Sequence, residues 1–224
     1  MASSHLEKTR INNRLPIARE GLPFIIAGCL LTVLSYALGL TPAFILFALL
    51  TLFTIWFFRD PERESNAGER AVLTPADGKC LGIQVLENKD NPIGEPAVLV
   101  SIFMSVFNVH VNRIPITGNI SEITYHQGKF FSAHLDKASK ENENNRILLQ
   151  TDIGHKIAFV QIAGLIARRI ACWIQEGDRV GAGQRFGLIR FGSRLDVYLP
   201  KDSQLTITPG KKVKAGVTIL GYLP

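Results

Sequence analysis

Residues 21–58 contain no Asp, Glu, Lys, Arg or His. Few structures tolerate so long a charge-free run, because a backbone in apolar surroundings must satisfy its own hydrogen bonds and does so as helix. The run breaks at Gly39-Leu40-Thr41-Pro42, which leaves residues 22–38 and 43–58 on either side. Each piece approaches the roughly 17–25 residues that cross a bilayer as a helix. Neither carries the polar stripe of a helix packed on a soluble core. A secretory signal peptide fits poorly, since the apolar run is too long and no small-residue cleavage motif follows it. The expectation is a membrane helical hairpin over 21–58.

Flanking charge orients that hairpin. Lys8, Arg10, Arg14 and Arg19 precede it, Arg59, Arg63 and Arg70 follow it, and the connecting turn is uncharged. Cationic flanks stay on the cytoplasmic side. Both ends and the downstream domain are therefore expected at the cytoplasmic face of the cell (inner) membrane, with Trp56 as an interfacial anchor. The formal net charge of +6 suits an anionic membrane surface. No partner nucleic acid is expected, because no basic cluster is interleaved with aromatic residues. Cys29, Cys80 and Cys172 are far apart and form no CxxC pair, which argues against a disulfide framework or a cysteine zinc site. His126, His134 and His155 are isolated, so no metal is expected.

The chain thus divides into a basic segment (1–20), the hairpin (21–58), a charged linker (59–70) and a domain over 71–224. In this last part short apolar runs are punctuated by Gly, Pro and Asn. Strands are predicted over 98–106, 147–151, 156–162, 186–191 and 195–199. Leu195, Val197 and Leu199 alternate with Asp196 and Tyr198, the pattern of a half-buried strand. Helix signals are confined to short pieces near 103–108 and 134–140, and residues 142–145 read as a turn or exposed loop. Gly177-Asp178-Arg179-Val180-Gly181-Ala182-Gly183 is echoed by Gly210-Lys211-Lys212-Val213-Lys214-Ala215-Gly216. Such spacing resembles the corners of lipoyl- and biotinyl-type domains, where glycine supplies positive φ. The predicted fold class is mainly β with a minor α+β element: a barrel-sandwich-like β domain behind an N-terminal membrane helical hairpin.

Between the two glycine echoes lies Gly192-Ser193-Arg194, where a carrier domain would present a lysine. A Gly-Ser step in a strained turn is a bond that a protein can break in itself. The serine hydroxyl attacks the preceding carbonyl, which a glycine without Cβ leaves open. Two other readings compete. Most Gly-Ser pairs are ordinary turns, and a hydrolase nucleophile would sit in Gly-x-Ser-x-Gly at a strand-to-helix elbow.

Six stretches carry a family resemblance. They are Phe57-Phe58-Arg59-Asp60-Pro61-Glu62-Arg63, Thr74-Pro75-Ala76-Asp77-Gly78-Lys79, the run from Phe107-Asn108-Val109-His110 through Val111-Asn112-Arg113-Ile114-Pro115-Ile116-Thr117-Gly118, Asn142-Glu143-Asn144, the run 161–170, and Gly192-Ser193-Arg194. In this order the chain resembles the short, pyruvoyl-dependent type of phosphatidylserine decarboxylase proenzyme over nearly its whole length. The resemblance implies cleavage between Gly192 and Ser193 into a β chain (1–192) and an α chain (193–224) that stay associated. Ser193 is then the precursor of a covalent pyruvate (pyruvoyl) cofactor, an electron sink for loss of carbon dioxide. The implied enzyme is a carboxy-lyase that turns phosphatidylserine in the membrane into phosphatidylethanolamine. A higher homo-oligomer is compatible with the sequence, and so is an archaetidylserine substrate.

The same resemblance makes Asp77 the acidic partner in cleavage and His110 a general acid/base, against readings as an Asx turn and as a satisfied core histidine. Longer family members carry a second histidine where this chain has Arg113, so the group that activates Ser193 stays open between His110 and another residue. Arg168 and Arg169 are candidates for the substrate head group, and Lys211, Lys212 and Lys214 for generic surface contact. A rival class, a non-catalytic membrane-tethered barrel-sandwich adaptor, rests on the glycine echo alone.

Overall fold

The computed structural model describes residues 15–64, 67–129, 141–164, 170–190 and 192–224. They separate into two compact units that divide between Glu62 and Arg63. In the first, a 3-10 turn at Arg19–Gly21 leads into α1 (Leu22–Ala37), and α2 (Thr41–Phe57) returns alongside it. Pro23 and Pro42 stand in the first turns of these helices, where a missing N–H costs nothing. Gly39, at φ +69°, makes the bend between them. At Gly28 a Cβ would strike the Thr51 side chain, so glycine sets how closely the helices approach. The hydroxyls of Thr32, Ser35, Thr51 and Thr54 each donate to the carbonyl four residues back, which satisfies these four without water.

Leu30, Val33, Leu49 and Leu52 are all more than half exposed. Arg19–Ala37 is long and apolar enough to cross a membrane, and only 17% of its apolar window is buried. The core helix of a soluble domain would bury its apolar face, whereas α1 leaves it exposed, as a membrane-associated helix does. Arg59 lies 4.1 Å over the Trp56 ring at the end of α2, an amphipathic pair suited to an interface.

The named elements of the second unit are all strands. Its strands are β1 (Ala71–Leu73), β2 (Gly78–Leu86), β3 (Ala97–Met104), β4 (Val111–Arg113), β5 (Gly118–His126), β6 (Asn144–Thr151), β7 (Lys156–Ile162), β8 (Ile170–Cys172), β9 (Arg179–Val180), β10 (Arg185–Ile189), β11 (Ser193–Pro200), β12 (Gln204–Leu205), β13 (Lys212–Val213) and β14 (Ile219–Tyr222). The mainly β, barrel-sandwich-like class predicted from sequence is what forms: an eight-stranded sheet ordered β13-β2-β3-β11-β7-β6-β5-β9 curls into a half-barrel and is accompanied by two three-stranded sheets.

That order is a palindrome. Reading it from either end pairs β13 with β9, β2 with β5, β3 with β6 and β11 with β7, and the small sheets β1-β14-β12 and β4-β10-β8 match likewise. The backbone agrees in detail. Leu73 N–H donates to Pro115 O and Arg113 N–H to Pro75 O. Gly210 N–H donates to Cys80 O and Gly177 N–H to Ile120 O. Bulges fall at matched places in β2 and β5. The domain is an internal duplicate with one half, β4–β10, inserted between β3 and β11 of the other. The glycine echo is its visible trace: Gly177, Gly183, Gly210 and Gly216 all have positive φ.

The core lies along the pseudo-two-fold, where Val197 pairs with Phe159 and the Phe159 and Phe186 rings meet edge to face at 4.9 Å. Three expectations fail here. Residues 142–145 are not an exposed loop: Asn142 is fully buried, and Asn144 and Asn145 begin β6. β11 is not half-buried, because Ile93 and Ala97 pack with Tyr198 over its second face. The short helix expected near 103–108 is instead the end of β3 and a turn. The piece at 134–140 lies outside the described residues.

Candidate active site

Ser193 is the first residue of β11 and pairs with Met104 on β3. Side chains alternate along a strand, so Ser193 shares the inner face with Leu195, Val197 and Leu199. It is fully buried, and its Oγ has no hydrogen-bond partner. An unsatisfied buried hydroxyl costs about 1–3 kcal/mol. Gly192 precedes it at φ +67°. A Cβ at 192 would meet nothing within 4 Å, so conformation rather than space demands glycine there.

His110 comes immediately before β4 and is also fully buried. Its Nδ1 lies 3.0 Å from the Asn108 carbonyl. A carbonyl only accepts, so Nδ1 carries the proton and Nε2 is the atom left for proton exchange. Asn112, two residues on, donates to Met104 Sδ at 3.6 Å, the residue opposite Ser193. Its Oδ1 accepts from Gln161 Nε2 at 2.8 Å, and Gln161 Oε1 accepts from Asn145 Nδ2 at 3.0 Å. This buried amide chain ties β4, β7 and β6 to the interior that holds Ser193. Sequence reading gave none of the three amides a role. The available signal was a single Asn or Gln among the apolar inward residues of β6 (Asn145 with Ile147 and Leu149) and β7 (Gln161 with Ile157 and Phe159).

Asp77 stands at the corner before β2. Gly78 continues the row of Met104 and Ser193, so the corner is two strands from Ser193, about 10 Å at ordinary strand spacing. The Asp77 carboxylate is fully occupied. Arg63 forks onto both oxygens, with Nη2 2.9 Å from Oδ2, and Ala215 N–H donates to Oδ1 at 2.8 Å. Arg63 had been read only as a flanking positive charge and part of a motif, but it belongs to the second unit and to this corner. Arg113 is buried in a neighbouring structural contact, with Nη1 donating to Gly183 O at 2.9 Å. Ser193 Oγ is thus hydrogen-bonded to neither Asp77 nor His110. Arg168 and Arg169 lie outside the described residues, as do Phe191 and His134. His126 ends β5 in an exposed position, and His155 Nε2 is 3.1 Å from Pro224 O.

On the opposite face of β11, Arg194 forks onto Asp196 at 2.6 and 3.0 Å and donates to Ser101 Oγ at 2.7 Å. Burial pushes the Asp196 carboxyl above its ordinary pKa, while the Arg194 charge and hydrogen bonds from Arg194 and Ser101 pull it back. This pair locks the register of the strand that begins at Ser193. Beside it a cleft of about 250 Å³ is lined by Leu81, Gln84, Leu99, Ser101 and Arg194, on the face away from Ser193.

The β domain thus holds a buried, unbonded serine hydroxyl directly behind a left-handed glycine. Comparison with known proteins identifies the family. The sequence model of the family described as Phosphatidylserine decarboxylase matches residues 50–221. The chain is 52% identical over 206 residues to the phosphatidylserine decarboxylase proenzyme of Syntrophus aciditrophicus, covering 92% of this chain and 96% of that protein. The proteins of the same name from Desulfotalea psychrophila and Geobacter metallireducens are 50% and 49% identical, covering 94% and 95% of this chain and 98% and 99% of their own lengths. The chain belongs to the phosphatidylserine decarboxylase family and is a carboxy-lyase of phospholipid biosynthesis.

Proposed function

We propose that this chain cuts itself between Gly192 and Ser193 and then decarboxylates phosphatidylserine to phosphatidylethanolamine at the cytoplasmic face of the inner membrane. The observation that carries the proposal is the pairing of a left-handed Gly192 with a fully buried Ser193 Oγ that has no hydrogen-bond partner. Such a hydroxyl is not already committed to a donor or acceptor and is adjacent to the carbonyl it would attack.

In this reading Ser193 Oγ adds to the Gly192 carbonyl carbon. The C–N bond breaks as an ester forms, and the Ser193 nitrogen takes up a proton. Removal of the Ser193 α-proton then expels the Gly192 carboxylate from Cβ, leaving a dehydroalanine at the new N-terminus. Water replaces its nitrogen, ammonia leaves, and residue 193 becomes a pyruvoyl group. That group supplies an electron sink for the loss of carbon dioxide from an amino-acid head group. His110, with Nδ1 held by Asn108, is the residue for moving protons at that position through Nε2. Asp77 is the acidic partner in cleavage, and Arg168 and Arg169 are assigned to the head group. The apolar helices would keep the enzyme at the surface that holds its substrate, with the flanking arginines setting the cytoplasmic side.

Intact-mass measurement of purified protein tests the reading. Chains corresponding to 1–192 and 193–224 are expected, the smaller one blocked at its N-terminus, while Ser193→Ala remains a single chain. A wild-type chain that stays whole and still decarboxylates phosphatidylserine would overturn it. His110→Ala is expected to cleave and to lose decarboxylation, and failure of this variant to cleave would assign His110 to cleavage.

A further inference from the structure

The internal duplication separates what a corner residue does for the fold from what it does for chemistry. Asp77 before β2 and Thr117 before β5 occupy matched corners, each after a proline and before a glycine. Ala215 N–H donates to Asp77 Oδ1 at 2.8 Å, and Ala182 N–H donates to Thr117 Oγ1 at 3.1 Å. One neutral acceptor therefore suffices to hold the turn. The half that contains the Gly192-Ser193 bond has two additions: the second carboxylate oxygen and the Arg63 fork that holds it.

We propose that Arg63 is a positioning residue that fixes the Asp77 carboxylate for self-cleavage and afterwards clasps the two chains together. The inference rests on the self-cleavage reading above. Arg63 and Asp77 are nearly buried, with side chains 10% and 12% exposed. Arg63 Nη1 also donates to Ala215 O at 2.7 Å, so Asp77 and Arg63 together hold both the N–H and the C=O of Ala215. Cleavage places Arg63 and Asp77 in one product chain and Ala215 in the other, which makes these bonds contacts between chains. A bidentate guanidinium suits the task, since it fixes the carboxylate plane as well as its charge. Arg63 is also the first residue of the second unit.

The test follows the rate at which the 193–224 chain appears in full-length protein, with thermal melting as the check on folding. Asp77→Thr copies the other half, so it is expected to fold with a melting temperature near wild type and to cleave about a hundredfold more slowly. Arg63→Met is expected to slow cleavage comparably, and Arg63→Lys, which keeps the charge without the fork, to restore part of the rate. The double variant R63M/D77T is expected to cleave no more slowly than D77T alone, because Arg63 acts through Asp77. Wild-type cleavage by both R63M and R63K, or fully multiplicative losses in the double variant, would overturn the assignment. If R63M does not fold, R63K against R63K/D77T gives the same comparison. Failure of the parent reading looks different: wild type would remain a single chain, or Ser193→Ala would still divide. In cleaved protein, R63K is expected to release the small chain at lower urea than wild type, and release at the same urea would remove the clasp.

Discussion

The two halves of the β domain share strand order, bulges and glycine corners, yet they differ at the one turn that matters for chemistry. In one half, β6 and β7 are joined by a tight turn in which Gly154, at φ +88°, precedes His155. At the matched place in the other half, Gly192, at φ +67°, precedes Ser193. His155 is partly exposed and the whole second half is absent from its short connection, whereas Ser193 is sealed in the interior where β3 and β11 receive that insertion. A left-handed glycine is therefore common to both turns and explains nothing by itself. Burial, a hydroxyl in place of an imidazole, and the charged corner at Asp77 are what differ.

The sharpest way to break this comparison is to move the serine. Ser193→Ala is expected to abolish formation of the small chain. His155→Ser, which creates a second Gly-Ser step behind a positive-φ glycine, is expected to yield no fragment ending at residue 154 by intact mass. Cleavage there would mean that the glycine conformation alone drives the reaction.

The next effect concerns Arg194 and Asp196, whose matched residues are Lys156 and Ala158. Asp196→Ala leaves a buried guanidinium unpaired and is expected to cost about 3–5 kcal/mol. Replacing both residues, R194M/D196A, is expected to recover most of that loss in denaturant unfolding of the Ser193→Ala chain. Matched glycines come after these. A Cβ at Gly78 would strike Phe103 O and one at Gly118 would strike Gln150 O, so G78A and G118A are each expected to lose about 1–3 kcal/mol. Gly154 and Gly192 have open space around them, and alanine at either is expected to cost about 1–2 kcal/mol for the backbone conformation alone. Only G192A is expected to slow cleavage.

The smallest effect is a titration confined to one half. Tyr198, matched by Val160, is pushed up to about 12, first by burial and then by the Asp196 charge. Its folded pKa lies above the unfolded value, so the folded chain holds the phenol proton more tightly. This contribution to stability is complete below pH 10 and is lost as pH rises towards about 12. Absorbance titration of folded protein is expected to show Tyr198 titrating late, and Asp196→Asn to bring it earlier.

Much of this was legible in the chain. The apolar run betrayed its helices because no charge can be hidden on a single exposed helix, and Gly39 and Pro42 marked the bend. The strands over 156–162 and around 195–199 showed in their β-branched and alternating residues. The glycine echo pointed to two alike turns, but not to two alike halves. Pairing that leaps from β3 to β11 across an inserted half leaves no local period to read. Asn142, Asn144 and Asn145 misled for a related reason. Their composition is that of a loop, and their hydrogen bonds explain why they are buried: Asn142 donates to Ala163 O, Asn144 to Asn142 O and Asn145 to Gln161 Oε1.

By itself, then, the sequence determined the local facts: helices where charge is absent, corners where glycine stands, and a Gly-Ser step with a histidine and an aspartate in the family's order. These depend on residues close in the chain, through hydrogen-bond saturation and backbone sterics. The tertiary structure alone decided that Asp77 belongs to Arg63 and Ala215, that Arg194 is neutralised by Asp196, and that Ser193 is buried with its hydroxyl unbonded. Each of those is a pairing or an exclusion of water between residues far apart in sequence, and such relations exist only once the strands have been brought side by side.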